Sequence, residues 1–117
     1  RQKQLGKISF LSLHFPDAEV QTLRQIVDLF RQRIPHRGII VLSSELNHRP
    51  QLLVGITDDL TKEGWSAVDL VRYLAEPLGG GGGGRPNLAQ AGGKDGSKLS
   101  EAVARAEEWI IARLNGG

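Results

Sequence analysis

The spacing of apolar and polar residues predicts that the first part of the chain forms a strand followed by a helix. Side chains over residues 7–15 alternate with a period of two, which is typical of a buried strand. Pro16 and Asp17 then begin a helix that Pro35 ends, because apolar residues between them recur at spacings of three and four. The residues of that apolar face are Val20, Leu23, Val27, Phe30 and Ile34.

Two continuous apolar runs predict a β-hairpin in the middle of the chain. The runs cover residues 38–44 and 51–56, and the Asn-His-Arg-Pro segment at 47–50 supplies residues that favour a turn. A second helix is predicted to follow, since residues 66–69 (Ser-Ala-Val-Asp) have the form of a capping box. Pro77 disfavours its continuation.

A last helix is predicted over residues 99–114, with Ser97 or Ser100 as its N-cap. The elements therefore follow in the order strand, helix, strand, strand, helix, loop, helix. This order predicts an α/β (α+β) fold, in which a small mixed β-sheet packs with about three helices and a glycine-rich loop.

Composition indicates one soluble domain. The 117 residues, 39% of them hydrophobic, form a single globular domain over 1–117, and we interpret residues 1–5 as the remnant of a preceding helix or linker. The absence of cysteine excludes a disulfide framework and fits a reducing compartment. No stretch predicts a membrane span or a signal peptide. We therefore expect a cytoplasmic protein, and a terminal domain of a longer one.

Basic residues are concentrated in the first half of the chain, although the formal net charge is only +2. Residues 1–50 contain eight Lys or Arg and four Asp or Glu. Arg31, Arg33, His36 and Arg37 surround the end of the first predicted helix, and two explanations remain open. Cations stabilise the negative end of a helix dipole, and clustered cations are also typical of a surface that binds nucleic-acid phosphates.

The most unusual segment is a run of six glycines, 79–84, that leads into Arg85 and Pro86. Glycine loses more backbone entropy on ordering than any other residue, so the run predicts a shaped loop brought close to something. A dinucleotide-binding fingerprint is excluded because a helix, not a strand, is predicted before the loop. A phosphate-binding loop of nucleoside triphosphatases is excluded because neither 84–86 nor 93–95 reads Gly-Lys-Ser/Thr.

Two explanations of the glycine loop remain open. In one, the loop is a backbone nest, whose N–H groups converge on an anionic group while Arg85 adds further donors. In the other, the glycines allow the loop to pack closely against a helix, and Arg85 pairs with a carboxylate.

Residues 79–93 resemble the signature loop of the C-terminal domain of alanyl-tRNA synthetase, a domain whose relatives accompany the DHH phosphoesterases. The segment reads Gly-Gly-x-Gly-Gly-Gly-Arg-Pro-Asn-Leu-Ala-Gln-Ala-Gly-Gly. The resemblance covers essentially the whole chain. It includes the Leu-Arg-x-x-x-Asp-x-x-Arg helix at 23–31, the strand at 38–42, and the segment 54–61 with the Ala-Val-Asp-Leu-Val helix from Ala67.

The chain departs from this family at three positions of the loop. Gly81 stands where many relatives carry a lysine, which weakens the nest explanation. Asn87 stands where aspartate is common, and Leu88 where methionine is common, a change that conserves side-chain volume.

The resemblance implies a tRNA-binding appendage of an ATP-dependent alanine–tRNA ligase, one that contacts the outer corner of tRNA and assists aminoacylation and editing. The implied partners are tRNA, above all tRNA(Ala), the catalytic and editing domains of the same protein, and, in some versions, a second copy of the domain. ATP, Mg and Zn belong to the rest of such an enzyme. We therefore expect no catalytic activity and no cofactor in this domain.

Phosphate contacts are expected to supply most of the affinity for RNA. The candidate RNA-binding residues of the glycine loop and the segment after it are Gly82, Gly83, Gly84, Arg85, Lys94, Lys98 and Arg105. An auxiliary cationic surface is predicted from Arg31, Arg33, Arg37 and Arg49.

The remaining polar residues predict neither a metal site nor a catalytic site. The three histidines lie on different predicted elements at spacings that match no metal motif. Asp58, Asp59 and Glu63 are typical of solvated caps between a strand and a helix.

Two other functions remain as alternatives. One is a dimerisation or protein-docking module, for which an exposed apolar patch would be the sign. The other is an accessory substrate-binding domain of a DHH-type phosphoesterase, although a histidine usually follows the glycines there, and Arg85 follows them here.

Overall fold

The computed structural model describes residues 2–116 and contains one mixed β-sheet with helices on both faces. The strands are β1 (Gln2–Leu5), β2 (Ile8–Phe15), β3 (Gly38–Leu46), β4 (Arg49–Ile56), β5 (Gly82–Arg85) and β6 (Leu88–Gly92). The helices are α1 (Val20–Arg33), α2 (Asp58–Lys62), α3 (Ala67–Ala75) and α4 (Leu99–Gly116), with 3₁₀ turns at Glu76–Leu78 and Gly96–Lys98.

The strands lie in the order β1-β2-β3-β4-β6-β5, so β1 and β5 form the two edges of the sheet. β2 and β3 are parallel and are connected by α1, and the other neighbouring pairs are antiparallel. The β3–β4 turn contains Asn47 and His48, which both have positive φ, as the tightest hairpin turns require. The predicted central hairpin is therefore confirmed.

Two hydrophobic clusters hold the helices on opposite faces of the sheet. Helix α1 buries Leu23, Val27 and Phe30 on one face of β3 and β4. Helices α3 and α4 bury the opposite face. Because β3 and β4 are covered on both sides, their sequences are continuous apolar runs and do not alternate.

The predicted fold class and two further local signals are confirmed. The fold is mixed α/β, with a larger sheet and one more helix than expected. Helix α1 has the predicted apolar face, although it begins at Val20 and not at Pro16. Ser66 caps α3, since its Oγ accepts a hydrogen bond from the Asp69 N–H at 3.3 Å.

Three expectations about individual segments are wrong, and one short helix was missed. Residues 2–5, expected to be the remnant of a helix or linker, form the edge strand β1. The short helix α2 was not predicted. Asp95 caps the 3₁₀ turn Gly96–Lys98 by accepting from the Ser97 N–H, and α4 follows that turn directly at Leu99, so neither predicted serine stands at the position before α4. The glycine loop is a β-hairpin, described below.

None of the helices in residues 2–116 combines the length and the apolar composition that are needed to cross a membrane.

Candidate functional site

The glycine segment forms a hairpin at one edge of the sheet. β5 pairs with β6 from Gly82 opposite Ala91 to Arg85 opposite Leu88, and Pro86 and Asn87 form the turn. In an extended strand, successive N–H groups point to opposite sides. The predicted nest, which needs converging N–H groups, is therefore not formed by Gly82–Arg85.

The tip of the hairpin is anchored to the rest of the domain. The carbonyl oxygen of Pro86 accepts from the Ala67 N–H at 2.7 Å, and that of Asn87 accepts from the Ile56 N–H at 3.0 Å. The Asn87 side chain also donates to Asp58 Oδ1 at 3.1 Å. The segment is therefore a preformed structure, as predicted, and not a flexible tether.

Close packing explains only some of the glycines. A Cβ atom at Gly80, Gly82 or Gly84 would lie 1.7, 2.5 or 2.5 Å from a carbonyl oxygen of β6, which no side chain tolerates. Gly84 also has a φ of 149°, which disfavours L-residues. A Cβ atom at Gly81 or Gly83 would meet no atom within 4 Å. The fold does not require these two glycines sterically, and their bare backbone is left open to an approaching molecule.

Three guanidinium groups surround this edge. Arg85 is exposed beside the hairpin tip. On the α3 side, Arg72 Nε donates to the carbonyl oxygen of Gly82 at 3.0 Å. On the α1 side, Arg24 Nη2 donates to Gln90 Oε1 at 2.8 Å. Arg24 and Arg72 were missed by sequence reasoning, although Arg24 belongs to the motif that carries the family resemblance.

A groove of about 540 Å³ lies between α1 and the hairpin. It exists because α1 packs on β3 and β4 and leaves the same face of β6 and β5 uncovered. Its lining combines apolar side chains, polar side chains and the bare glycine backbone. The larger apolar residues are Val20, Leu53 and Leu88, and the polar ones are Arg24, Gln51 and Gln90.

The two predicted lysines lie beyond the opposite end of the hairpin from Arg85. Lys94 follows β6, and its backbone N–H donates to the carbonyl oxygen of Leu78. Lys98 ends the next 3₁₀ turn, and both lysines are exposed. Because the five residues of β6 span roughly 13 Å, Arg85 and Lys94 mark the two ends of one edge and not a single cluster.

Arg105 is used inside the domain, contrary to expectation. Its guanidinium lies over the ring of Tyr73, 3.8 Å from the centroid, and Nη2 is 3.0 Å from Glu76 Oε1. The contacts with Tyr73 and then Glu76 raise the pKa of Arg105 against the opposing effect of its partial burial. Arg105 therefore links α4 to α3 through its contact with Tyr73.

The auxiliary arginines do not form one surface. Arg31 is half-buried, Arg33 is exposed, and Arg49 lies at the far end of β4 from the α1 terminus. Arg37 has a φ of 52° and connects three segments, since Nε donates to the carbonyl oxygen of Lys7 and Nη1 lies 3.2 Å from Glu63 Oε2. The predicted auxiliary patch is therefore wrong as a single site.

The helix period separates Arg31 from Arg33. Val20, Arg24, Val27 and Arg31 recur at spacings of four, three and four, so they share the face of α1 directed towards β4 and the hairpin. Arg33 follows Arg24 by nine residues, which is half a helical rotation out of phase. It lines a different groove, beside β1 and β2.

The carboxylates near α2 have structural partners. The Asp59 side chain accepts from the backbone N–H of Arg37 at 3.0 and 3.2 Å. Desolvation alone would raise the pKa of Asp59, but hydrogen bonds from Thr57 and from the Arg37 and Leu60 backbone hold it below its usual value. Within residues 2–116, no group of three or more His, Asp or Glu side chains could hold a metal ion.

Comparison with known proteins identifies the class to which this fold and this glycine hairpin belong. The DHHA1 domain family model matches residues 7–112, so the chain belongs to the DHHA1 domain family. Within that family, the chain is similar to alanine–tRNA ligases, with 41% identity over 108 residues to the protein of Geobacillus kaustophilus and 40% over 114 residues to that of Pelotomaculum thermopropionicum. These matches cover 92% and 97% of this chain but only 12% and 13% of the ligases.

The solved structures agree with this assignment. The C-Ala domain of Aquifex aeolicus alanyl-tRNA synthetase matches with a TM-score of 0.85 and 28% identity, over 95% of this chain and 98% of that domain. The predicted resemblance to the C-terminal domain of alanyl-tRNA synthetase is thereby confirmed. A DHH domain described as belonging to a family of ribosomal proteins has a TM-score of 0.65 at 18% identity over 95% of this chain and 27% of that one, and shares the fold alone.

Proposed function

We propose that this chain is the tRNA-binding C-terminal module of an alanine–tRNA ligase, and that it holds the tRNA backbone along β5. Its partners are tRNA, above all tRNA(Ala), and the catalytic and editing domains of the same cytoplasmic enzyme. ATP, Mg and Zn act in those other domains.

One observation supports the proposal most directly. Gly81 and Gly83 present bare backbone that intramolecular packing does not require, at an edge surrounded by Arg24, Arg72 and Arg85. Because Gly81 and Gly83 stand at the hydrogen-bonded positions of the β5–β6 ladder, the N–H groups of Gly82 and Gly84 point away from β6. Phosphate oxygens accept hydrogen bonds from such backbone N–H groups and from guanidinium groups. The tRNA outer corner combines phosphates with exposed bases, which suits such an edge.

The test is a titration of tRNA(Ala) transcript with wild-type protein and with three single-arginine variants. We expect Arg85→Ala and Arg24→Ala each to weaken binding by about 1–3 kcal/mol, because each removes a charged hydrogen-bond donor. Arg33→Ala is the matched control, since it removes the same charge from an exposed site on the other side of α1. Equal losses in all three variants would show that only net charge matters and would contradict this interface.

Protein docking is a second candidate function, because an apolar surface that includes Leu29 is exposed on α1. Leu29 is 57% exposed beside a groove of about 440 Å³ whose lining includes Leu11, Ile26 and Arg33. Sedimentation of the wild type and of Leu29→Glu tests whether this face joins two copies. A concentration-dependent dimer that Leu29→Glu abolishes would support docking, and a monomer at every concentration would exclude self-association through this face.

A further inference from the structure

We propose that the groove between α1 and the glycine hairpin holds one unstacked nucleobase of the RNA whose backbone lies along β5. The inference rests on the proposed function, which concerns the backbone contacts alone. It adds a base-binding site formed by residues from α1, β4 and β6.

The groove has the composition that a base requires. Its apolar surface comes from Leu53, Leu88 and Val20, and two glutamine amides and one guanidinium supply its polar groups. A volume of about 540 Å³ is within the usual range for small-ligand sites. Phosphate alone would not account for leucine side chains and amide acceptors, whereas a base has apolar faces and hydrogen-bonding edges.

Gln51 provides an independent indication. Its Oε1 atom is buried and has no hydrogen-bond donor within the described residues, although its side chain lines the groove. A buried acceptor without a partner destabilises a fold, so its presence calls for an explanation. The exocyclic amino group or ring N–H of a base would supply the missing donor once the terminal amide turns towards it.

Arg24 and Gln90 complete the site. Arg24 Nη2 donates to Gln90 Oε1 at 2.8 Å, and this hydrogen bond orients the guanidinium group beside the groove. A planar guanidinium can stack on a base, and glutamine amides form paired hydrogen bonds with base edges. Gly81 and Gly83 line the same groove without side chains, so the phosphate next to the base can approach the outward N–H groups of Gly82 and Gly84 at the edge of β5.

The first experiment is a ¹⁵N NMR titration of the 117-residue chain with four probes. The probes are hexaadenylate, hexauridylate, an abasic ribose-phosphate hexamer and the tRNA(Ala) transcript. We expect the backbone amides of Gly81–Gly84 to shift with all four. The side-chain amides of Gln51 and Gln90 should shift with the base-bearing RNAs and not with the abasic hexamer.

The outcomes separate the two proposals. If any RNA shifts the Gly81–Gly84 amides but leaves the Gln51 and Gln90 side chains unchanged, the base site is overturned and backbone binding survives. Equal glutamine shifts with the abasic hexamer also overturn the base site. If no RNA, including the transcript, shifts the glycine amides, the proposed function itself fails and the base site fails with it.

A second measurement uses Gln51→Leu, which removes the unpaired acceptor at similar volume. We expect its melting temperature to stay the same or rise, and its preference for hexaadenylate over the abasic hexamer to fall about fivefold or more. Gln25→Leu, at an exposed position on α1, is the matched control. If Gln51→Leu does not fold, Gln90→Leu, at an exposed position, carries the test. An unchanged preference in the folded variant contradicts the base site.

Discussion

Gly82 and Gly83 are neighbours in β5, but close packing requires glycine at only one of the two positions. A Cβ atom at Gly82 would lie 2.5 Å from the Gln90 carbonyl oxygen, whereas one at Gly83 would meet no atom within 4 Å. Glycine at the first position is required for the close approach of β6. Packing inside the domain does not require glycine at the second, because a small side chain would fit there.

This difference predicts opposite effects of two adjacent substitutions. Gly82→Ala should lower the free energy of unfolding by about 1–3 kcal/mol, the usual range for overpacking. Gly83→Ala should leave stability unchanged or raise it slightly, since alanine has less backbone entropy to lose, but it should weaken tRNA binding. Urea unfolding and tRNA titration on the same preparations measure both. Wild-type affinity in Gly83→Ala would show that the bare backbone is not the contact.

A substitution at Gly81 is predicted to strengthen tRNA binding. A Cβ atom at this position would meet no atom within 4 Å, so Gly81→Lys should fold normally. The added cation should strengthen tRNA binding and raise the number of counterions released on binding by roughly one, which steepens the salt dependence. Gly81→Gln is the uncharged control. Identical affinities for the two variants would place this position outside the interface.

At the scale of elements, whether an arginine is available to bind RNA depends on what its helix packs against. Arg105 projects from α4 onto Tyr73 of α3, and Tyr73 Oη donates to Glu108 of α4 at 3.0 Å. The guanidinium therefore joins two helices. The ion pair with Glu76 adds little, because that side chain is 65% exposed.

Arg105→Ala should therefore destabilise the domain without changing its affinity for RNA. We expect a loss of about 0.5–2 kcal/mol in the free energy of unfolding, the range for a cation over an aromatic ring, and an unchanged dissociation constant for tRNA. Arg105→Lys keeps the charge but not the planar stacking, and should also be less stable than the wild type. A tRNA affinity that falls while the fold is intact would return Arg105 to the interface.

At the scale of the whole molecule, the candidate site depends on strand order. β5 is the last strand of the sheet, and α3 covers one face of β5 and β6 while the other face is open. Helices α1 and α3 each direct one arginine to this edge. The overall net charge of +2 is too small to attract RNA without such a local concentration.

Binding of tRNA should therefore weaken steeply with salt. With three guanidinium groups contacting phosphates, the logarithm of the association constant should fall by roughly 2–3 for each tenfold rise in salt concentration. Fluorescence anisotropy between low and physiological salt measures the slope. A flat response would argue for the protein-docking function.

The spacing of apolar residues was sufficient to predict the elements that are buried on one face or on both. The three-and-four spacing from Val20 to Ile34 predicted α1, and the apolar runs predicted β3 and β4, because burial itself selects those residues. β1 was missed because Gln2–Leu5 is mostly polar and its pairing with β2, not its composition, makes it a strand. β5 was missed because glycine has a low strand propensity.

The sequence by itself determined the family, the fold class and the presence of an unusual glycine backbone, since each is carried by residues close together in the chain. Only the tertiary structure decided that this backbone is an edge strand, that Arg24 and Arg72 lie beside it, and that Arg105 does not. The physical reason is that Arg24 and Gln90 are 66 residues apart, and their contact depends on the order of the strands, which no local pattern of side chains encodes.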